Sequence, residues 1–123
     1  MPQVVAVVGA SRDRRKFGNK AVRAYQQQGH KVYPVHLTET VIEGLPAYKS
    51  ILDVPERPDM VSVYLHPEQL QAVLPDIAIK GCDELWLNPG AESPEIIAEA
   101  ERLGLNVIQA CSIVDIGVSP HQL

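Results

Sequence analysis

Val4-Val5-Ala6-Val7-Val8-Gly9-Ala10-Ser11 is the stretch on which the fold turns. Its first five residues form an unbroken apolar run, mostly β-branched, with no polar residue in alternate positions. That is the pattern of a strand covered on both faces, as in the middle of a parallel sheet. A glycine placed directly after such a strand permits a tight turn and close backbone approach by a ligand.

Working outward, apolar runs alternate with segments of helical periodicity. Phe17, Ala21, Val22 and Tyr25 fall at helical spacing, with Gly29 as the stop. Lys31-Val32-Tyr33-Pro34-Val35 reads as the second strand, and Met60 to Leu65 as a later one. Pro67 opens a helix at its first position, where a missing N–H costs nothing, with Leu70, Val73, Leu74, Ile77 and Ala78 as its buried stripe. Glu84 to Leu87 is a further strand. Ser93 caps a helix with Pro94 at its first position and Ile96, Ile97, Ala100 and Leu103 facing inward. Asn106 to Gln109 closes the series, and the segment from Cys111 reads as a short helical turn. Between 38 and 58 the pattern is weak: a short edge strand near Val41-Ile42, a turn at Gly44 to Pro46 and a brief helix near Ser50 to Leu52. Strands and helices in alternation predict an α/β fold, a doubly wound parallel sheet of the Rossmann type. The expectation is five to six strands in the order 3-2-1-4-5-6, in one domain spanning 1–123.

The 123 residues carry a formal net charge of −4, unevenly spread. Residues 1–38 hold Arg12, Arg14, Arg15, Lys16, Lys20, Arg23 and Lys31 against one acid, Asp13. An acidic chain with one basic corner suits a compact polyanion better than a nucleic acid, which needs an extended positive stripe. A solvated basic loop is the plainer alternative. No apolar run reaches the length of a membrane span, and the first residues lack signal-peptide order, so a cytoplasmic location is expected. Cys82 and Cys111 lack metal-ligand companions and CxxC spacing, so neither a disulfide nor a metal site is expected.

In open parallel sheets, ligands bind at the carboxyl ends of the strands where strand order reverses. That rule selects the turns Gly9-Ala10-Ser11, Pro34-Val35-His36, Leu65-His66-Pro67, Asn88-Pro89-Gly90 and Ala110-Cys111-Ser112. Gly9 to Ser11 and His66 should flank the crevice. A GxGxxG fingerprint is absent: the next glycine after Gly9 is Gly18, and the second strand ends without the acid that would hold a ribose hydroxyl. Walker and GxSxG patterns are absent as well. The loop Ser11 to Phe17 is instead rich in Arg and Lys, able to reach round a pyrophosphate or meet an additional phosphate.

At this point the chain resembles the small CoA-binding proteins related to the CoA-binding domain of the succinyl-CoA synthetase α subunit. The segments that carry the resemblance are Val4 to Ser11, Lys16-Phe17-Gly18-Asn19, Gly29 to Val35, Gly44 to Tyr48, and Glu84 to Gly90 ahead of Gly104 to Val107. It implies a Rossmann-like domain binding coenzyme A. Gly9, Ala10 and Ser11 would form the pyrophosphate turn, with Arg12, Arg15, Lys16 and Phe17 on the loop beside the phosphates. Pro34 and Val35 would line the adenine side, and Leu65, His66, Asn88 and Gly90 would follow the rest of the molecule. Where relatives often have Asn-Pro after the second strand, this chain has His36-Leu37.

His66 ends a central strand, yet no carboxylate at a telling spacing marks it as catalytic; lining the ligand or a structural role is the simpler expectation. Glu92 and Glu95 are expected in a first helical turn, where acids offset the dipole. The leading expectation is a non-catalytic protein that binds coenzyme A or an acyl-CoA as carrier, sensor or enzyme partner. A dinucleotide-dependent oxidoreductase or transferase, and an interaction module without ligand, are the rivals.

Overall fold

The computed structural model describes residues 2–123. The chain runs β1 (Val4–Val8), α1 (Phe17–Gln27), β2 (Lys31–Val35), β3 (Val41–Ile42), β4 (Leu45–Pro46), β5 (Met60–Val63), α2 (Pro67–Lys80), β6 (Glu84–Leu87), α3 (Pro94–Arg102), β7 (Val107–Gln109) and α4 (Ser112–Asp115). Short 3-10 turns occupy Ile51–Asp53 and Pro120–Gln122. Five strands form one parallel sheet in the order β2-β1-β5-β6-β7.

The unbroken apolar run of β1 is explained by what covers it. Val5 and Val7 pack with Ala21, Val22 and Tyr25 of α1 on one face. Ala6 and Val8 belong to the core on the other face, with Leu70, Leu74 and Ile77 of α2 and Ile96 and Ala100 of α3. A strand with apolar neighbours on both sides has no reason to alternate. The same arrangement makes the sheet doubly wound and Rossmann-like, as its sequence pattern implies.

The anticipated order 3-2-1-4-5-6 is present without its outermost member. Val41–Ile42 pairs with Leu45–Pro46 as a separate antiparallel hairpin, turning through Glu43 and Gly44. Outside β2 there is a single parallel bridge, Val35 to Tyr48. Tyr48 N donates to Pro34 O and His36 N donates to Tyr48 O, both at 2.9 Å. Two residues back along the ladder, the donors would be Pro46 and Pro34, and proline has none. A third strand therefore stops after one bridge. The brief helix near Ser50 is the 3-10 turn, with Ser50 Oγ accepting from Leu52 N at 3.1 Å.

Strand order reverses between β1 and β5: β2 lies on one side of β1, and all later strands of the sheet lie on the other. The carboxyl ends of β1 and β5 thus face a common crevice. Among the described residues, no helix is long and apolar enough to cross a membrane.

Candidate binding cleft at the β1–β5 switch point

Two glycines shape the crevice. Gly9 leaves β1 with φ +89, and a Cβ there would lie 2.8 Å from Tyr64 O. Gly18, in the first turn of α1, sits so close to the β1 turn that its Cβ would lie 2.2 Å from Gly9 O. Helix and turn can meet only with a glycine there.

The helix end presented in this way is bare. Lys16 is its N-cap residue and makes no side-chain cap, and no acid lies in the first turn. Ser93 by contrast caps α3, accepting from Ile96 N at 3.1 Å, and Glu95 follows it. Alongside the α1 end, the N–H groups of Ala10 and Ser11 have no acceptor among the described residues. Exposed amides and an uncompensated dipole favour an anion. Ser11 accepts Asp13 N at 3.0 Å, which leaves its hydroxyl hydrogen free to donate.

These groups open into a cleft of about 430 Å³ lined by Gly9, Ala10, Ser11, Lys16, Phe17, Gly18, His36, Tyr64, Leu65, His66, Gln69, Pro89, Gly90 and Ala91. Of the residues singled out in the sequence, Gly9, Ala10, Ser11, Lys16, Phe17, Leu65, His66 and Gly90 are brought together there. Phe17, counted by periodicity on the inner face of α1, is 50% exposed and faces the opening. A residue in the first turn projects beyond the sheet edge rather than onto it.

Five others lie elsewhere. Pro34 and Val35 are buried in β2. Arg15 is bound to Asp13 by two hydrogen bonds of 3.0 Å from its guanidinium, with its side chain 90% exposed. Arg12 pairs with Glu39 at 3.3 Å beyond the cleft. Asn88 is 1% exposed and ties three elements together. Its Nδ2 donates to Ser62 Oγ and Val63 O, and its Oδ1 accepts from Ser112 N, all at 2.9 Å. Ser62 Oγ and Tyr64 OH in turn meet Ser112 Oγ at 2.8 and 3.1 Å. Burial pushes the Tyr64 phenol up to about 12, so it serves as a neutral hydrogen-bonding group.

His66 is the N-cap residue of α2, and Gln69 Oε1 accepts from His66 N at 3.2 Å. His36, at the end of the selected turn Pro34-Val35-His36, lines the cleft. Its Nδ1 accepts Thr38 N at 3.1 Å and Glu39 N at 2.9 Å, which fixes the Nε2–H tautomer and leaves that donor unclaimed. Lys16 is the lining cation, and it has no ion-pair partner among the described residues.

The profile of a family described as a CoA binding domain matches residues 3–117. The α subunit of an ADP-forming acetate–CoA ligase (II) from Pyrococcus furiosus is 27% identical over 118 residues, covering 87% of this chain and 26% of that subunit. The chain thus spans about a quarter of that relative's length. Among solved structures, a conserved hypothetical protein from Pyrococcus furiosus superposes with a TM-score of 0.84 at 30% identity, over 94% of this chain and 99% of that one. A dinucleotide-forming acetyl-coenzyme A synthetase from Candidatus Korarchaeum cryptofilum, solved with phosphate and ADP, superposes with a TM-score of 0.77 at 26% identity, over 87% of this chain and 25% of that one. With a five-stranded parallel sheet, a glycine-lined β1 turn and this match over nearly its whole length, the chain belongs to the CoA-binding domain family.

Proposed function

We propose that residues 1–123 act as one unit that binds coenzyme A or an acyl-CoA at the β1–β5 cleft without transforming it. The observation that carries this reading is the uncapped, acid-free N-terminus of α1, set beside the free Ala10 and Ser11 amides with Lys16 at the rim. A pyrophosphate placed there meets several N–H donors, a helix dipole and one mobile cation. Leu65, His66 and Gly90 then line the path of the remaining chain of the ligand. A binding role without chemistry is supported by the neutrality of Tyr64, the phenol that lines the cleft. A carrier, a sensor or a partner subunit of a CoA-using enzyme would each need only this.

Thermal unfolding with CoA, acetyl-CoA, NAD, NADP and ATP tests the proposal. CoA at a hundred times its Kd should raise the unfolding free energy by about 2.7 kcal/mol. Stabilisation by NAD but not by CoA would overturn it in favour of a dinucleotide enzyme. Stabilisation by none of the five would leave an interaction module.

A further inference from the structure

Beside Ser11 and His36 of the cleft lies a second cavity of about 480 Å³, lined by Arg12, Arg14, Glu39, Thr40, Val41 and Glu43. The two are joined through backbone, since Arg12 follows Ser11 and Glu39 N donates to His36 Nδ1 at 2.9 Å. One wall is the basic loop and the other is the β3–β4 hairpin.

The two acids in this cavity are held very differently. Glu43 accepts from Nδ2 of Asn19 at 3.0 Å, and Asn19 is fully buried and also donates to Ser11 O at 2.9 Å. Arg14 approaches Glu43 at 3.7 Å. Glu43 is therefore an anchor, kept even though its φ of 49 is one that side chains rarely adopt. Glu39 has one side-chain partner, Arg12 at 3.3 Å, and the arginine side chain is 70% exposed. The Glu39 side chain is 32% exposed, and a single pair with so exposed an arginine is worth little and exchanges readily.

In Rossmann sheets the ribose of an adenine nucleotide lies by the end of the second strand, and an arginine nearby accommodates a phosphate on that ribose. Here the residue at that end is His36, and the guanidinium just beyond is Arg12. We infer that Arg12 and Glu39 are the specificity pair of this cleft: a phosphomonoester on the adenosine ribose displaces the Glu39 carboxylate from Arg12. A phosphate carries more charge and more acceptor oxygens than one carboxylate, and it takes a bidentate guanidinium fork. Glu39 then swings into solvent. A ligand without that phosphate leaves the pair closed and gains nothing from Arg12. This inference rests on the cleft binding an adenine nucleotide; coenzyme A and NADP share the required group.

The test is a set of Kd values for CoA, dephospho-CoA, NADP and NAD with the full chain, as wild type, Arg12→Ala and Glu39→Gln. All three proteins are first shown to have matching Tm values. Arg12→Ala should weaken CoA by about tenfold while leaving dephospho-CoA unchanged. Glu39→Gln should tighten CoA by about threefold, with no change for dephospho-CoA. If wild type binds CoA and the CoA to dephospho-CoA ratio is the same in all three proteins, the inference is overturned while the proposed function stands. If wild type binds NADP and not CoA, the proposed function fails, and the inference stands only if the NADP to NAD ratio responds to both substitutions in the same directions. If wild type binds neither, both fall.

Discussion

Gly18 packs against the carbonyl oxygen of Gly9, at a separation that would place a Cβ on residue 18 only 2.2 Å from that oxygen. The contact brings the bare end of α1 to the turn that leaves β1, so one pair of glycines sets both the helix packing and the donor cluster. In the dinucleotide fingerprint the glycines for turn and packing are close in sequence. Here the loop Ala10–Phe17 separates them and puts Lys16 beside the opening.

Gly18→Ala should therefore cost about 2 kcal/mol or more, because backbone meets backbone and neither yields. Gly29 is the comparison: its φ is +81 but a Cβ there has open space. Gly29→Ala should cost about 1 kcal/mol, from the backbone conformation alone. Urea denaturation measures both, and equal losses would show that the Gly9 contact relaxes. CoA affinity should fall in Gly18→Ala and hold in Gly29→Ala.

Lys16→Ala should weaken CoA by about tenfold and flatten the salt dependence of binding, since the lysine lines the cleft and has no ion-pair partner among the described residues. Arg15→Ala should change affinity by less than about twofold, as its guanidinium is already committed to Asp13. Calorimetry at two salt concentrations separates the cases. An effect from Arg15 as large as that from Lys16 would mean the loop rearranges on binding.

The Asp13 carboxyl is held at about 2, first by the hydrogen bond from the Arg15 side chain and then by the Arg15 amide. A carboxyl whose folded pKa lies below its unfolded value contributes order wherever both forms are ionised, above about pH 4, and that contribution disappears as pH falls through about 2. Amide signals from Ser11 to Lys16 should hold steady from neutral pH down to about pH 4 and shift only below it. The Asp13 carboxyl carbon reports the midpoint directly. A midpoint near the ordinary carboxylate value of about 4 would show that the pair with Arg15 does not persist in solution.

Much of this was legible from the chain itself. The unbroken apolar β1 announces a central parallel strand, and Pro67 and Ser93-Pro94 mark helix starts through fixed backbone chemistry. What pattern cannot reach is pairing between distant residues. Nothing local in Asn88 says that it will meet Ser62, Val63 and Ser112 in the interior, and nothing in Arg12 says that Glu39 will already hold it. The free donor of His36 is hidden for the same reason, because its tautomer depends on amides in the following turn. The stunted third strand could have been found: Pro34 and Pro46 both lack the donor that a second bridge requires.

Asn88→Ala should destabilise the protein by about 2 to 3 kcal/mol, since Val63 O, Ser62 Oγ and Ser112 N lose a buried partner together. The loss should appear in denaturation, with α4 exchanging its amide hydrogens faster than the central strands. A CoA affinity reduced at unchanged stability would instead place the Asn88 amide on the ligand.

His66 offers the sharpest separation of structure from chemistry. It is the N-cap residue of α2, a position where asparagine is preferred, and asparagine has no imidazole. His66→Asn should therefore hold stability or raise it by up to about 1 kcal/mol and keep CoA affinity within about twofold of wild type. Stability kept with affinity reduced about tenfold would assign the ring to the ligand. The side chain most readily taken for a base at this strand end would then be a ligand contact.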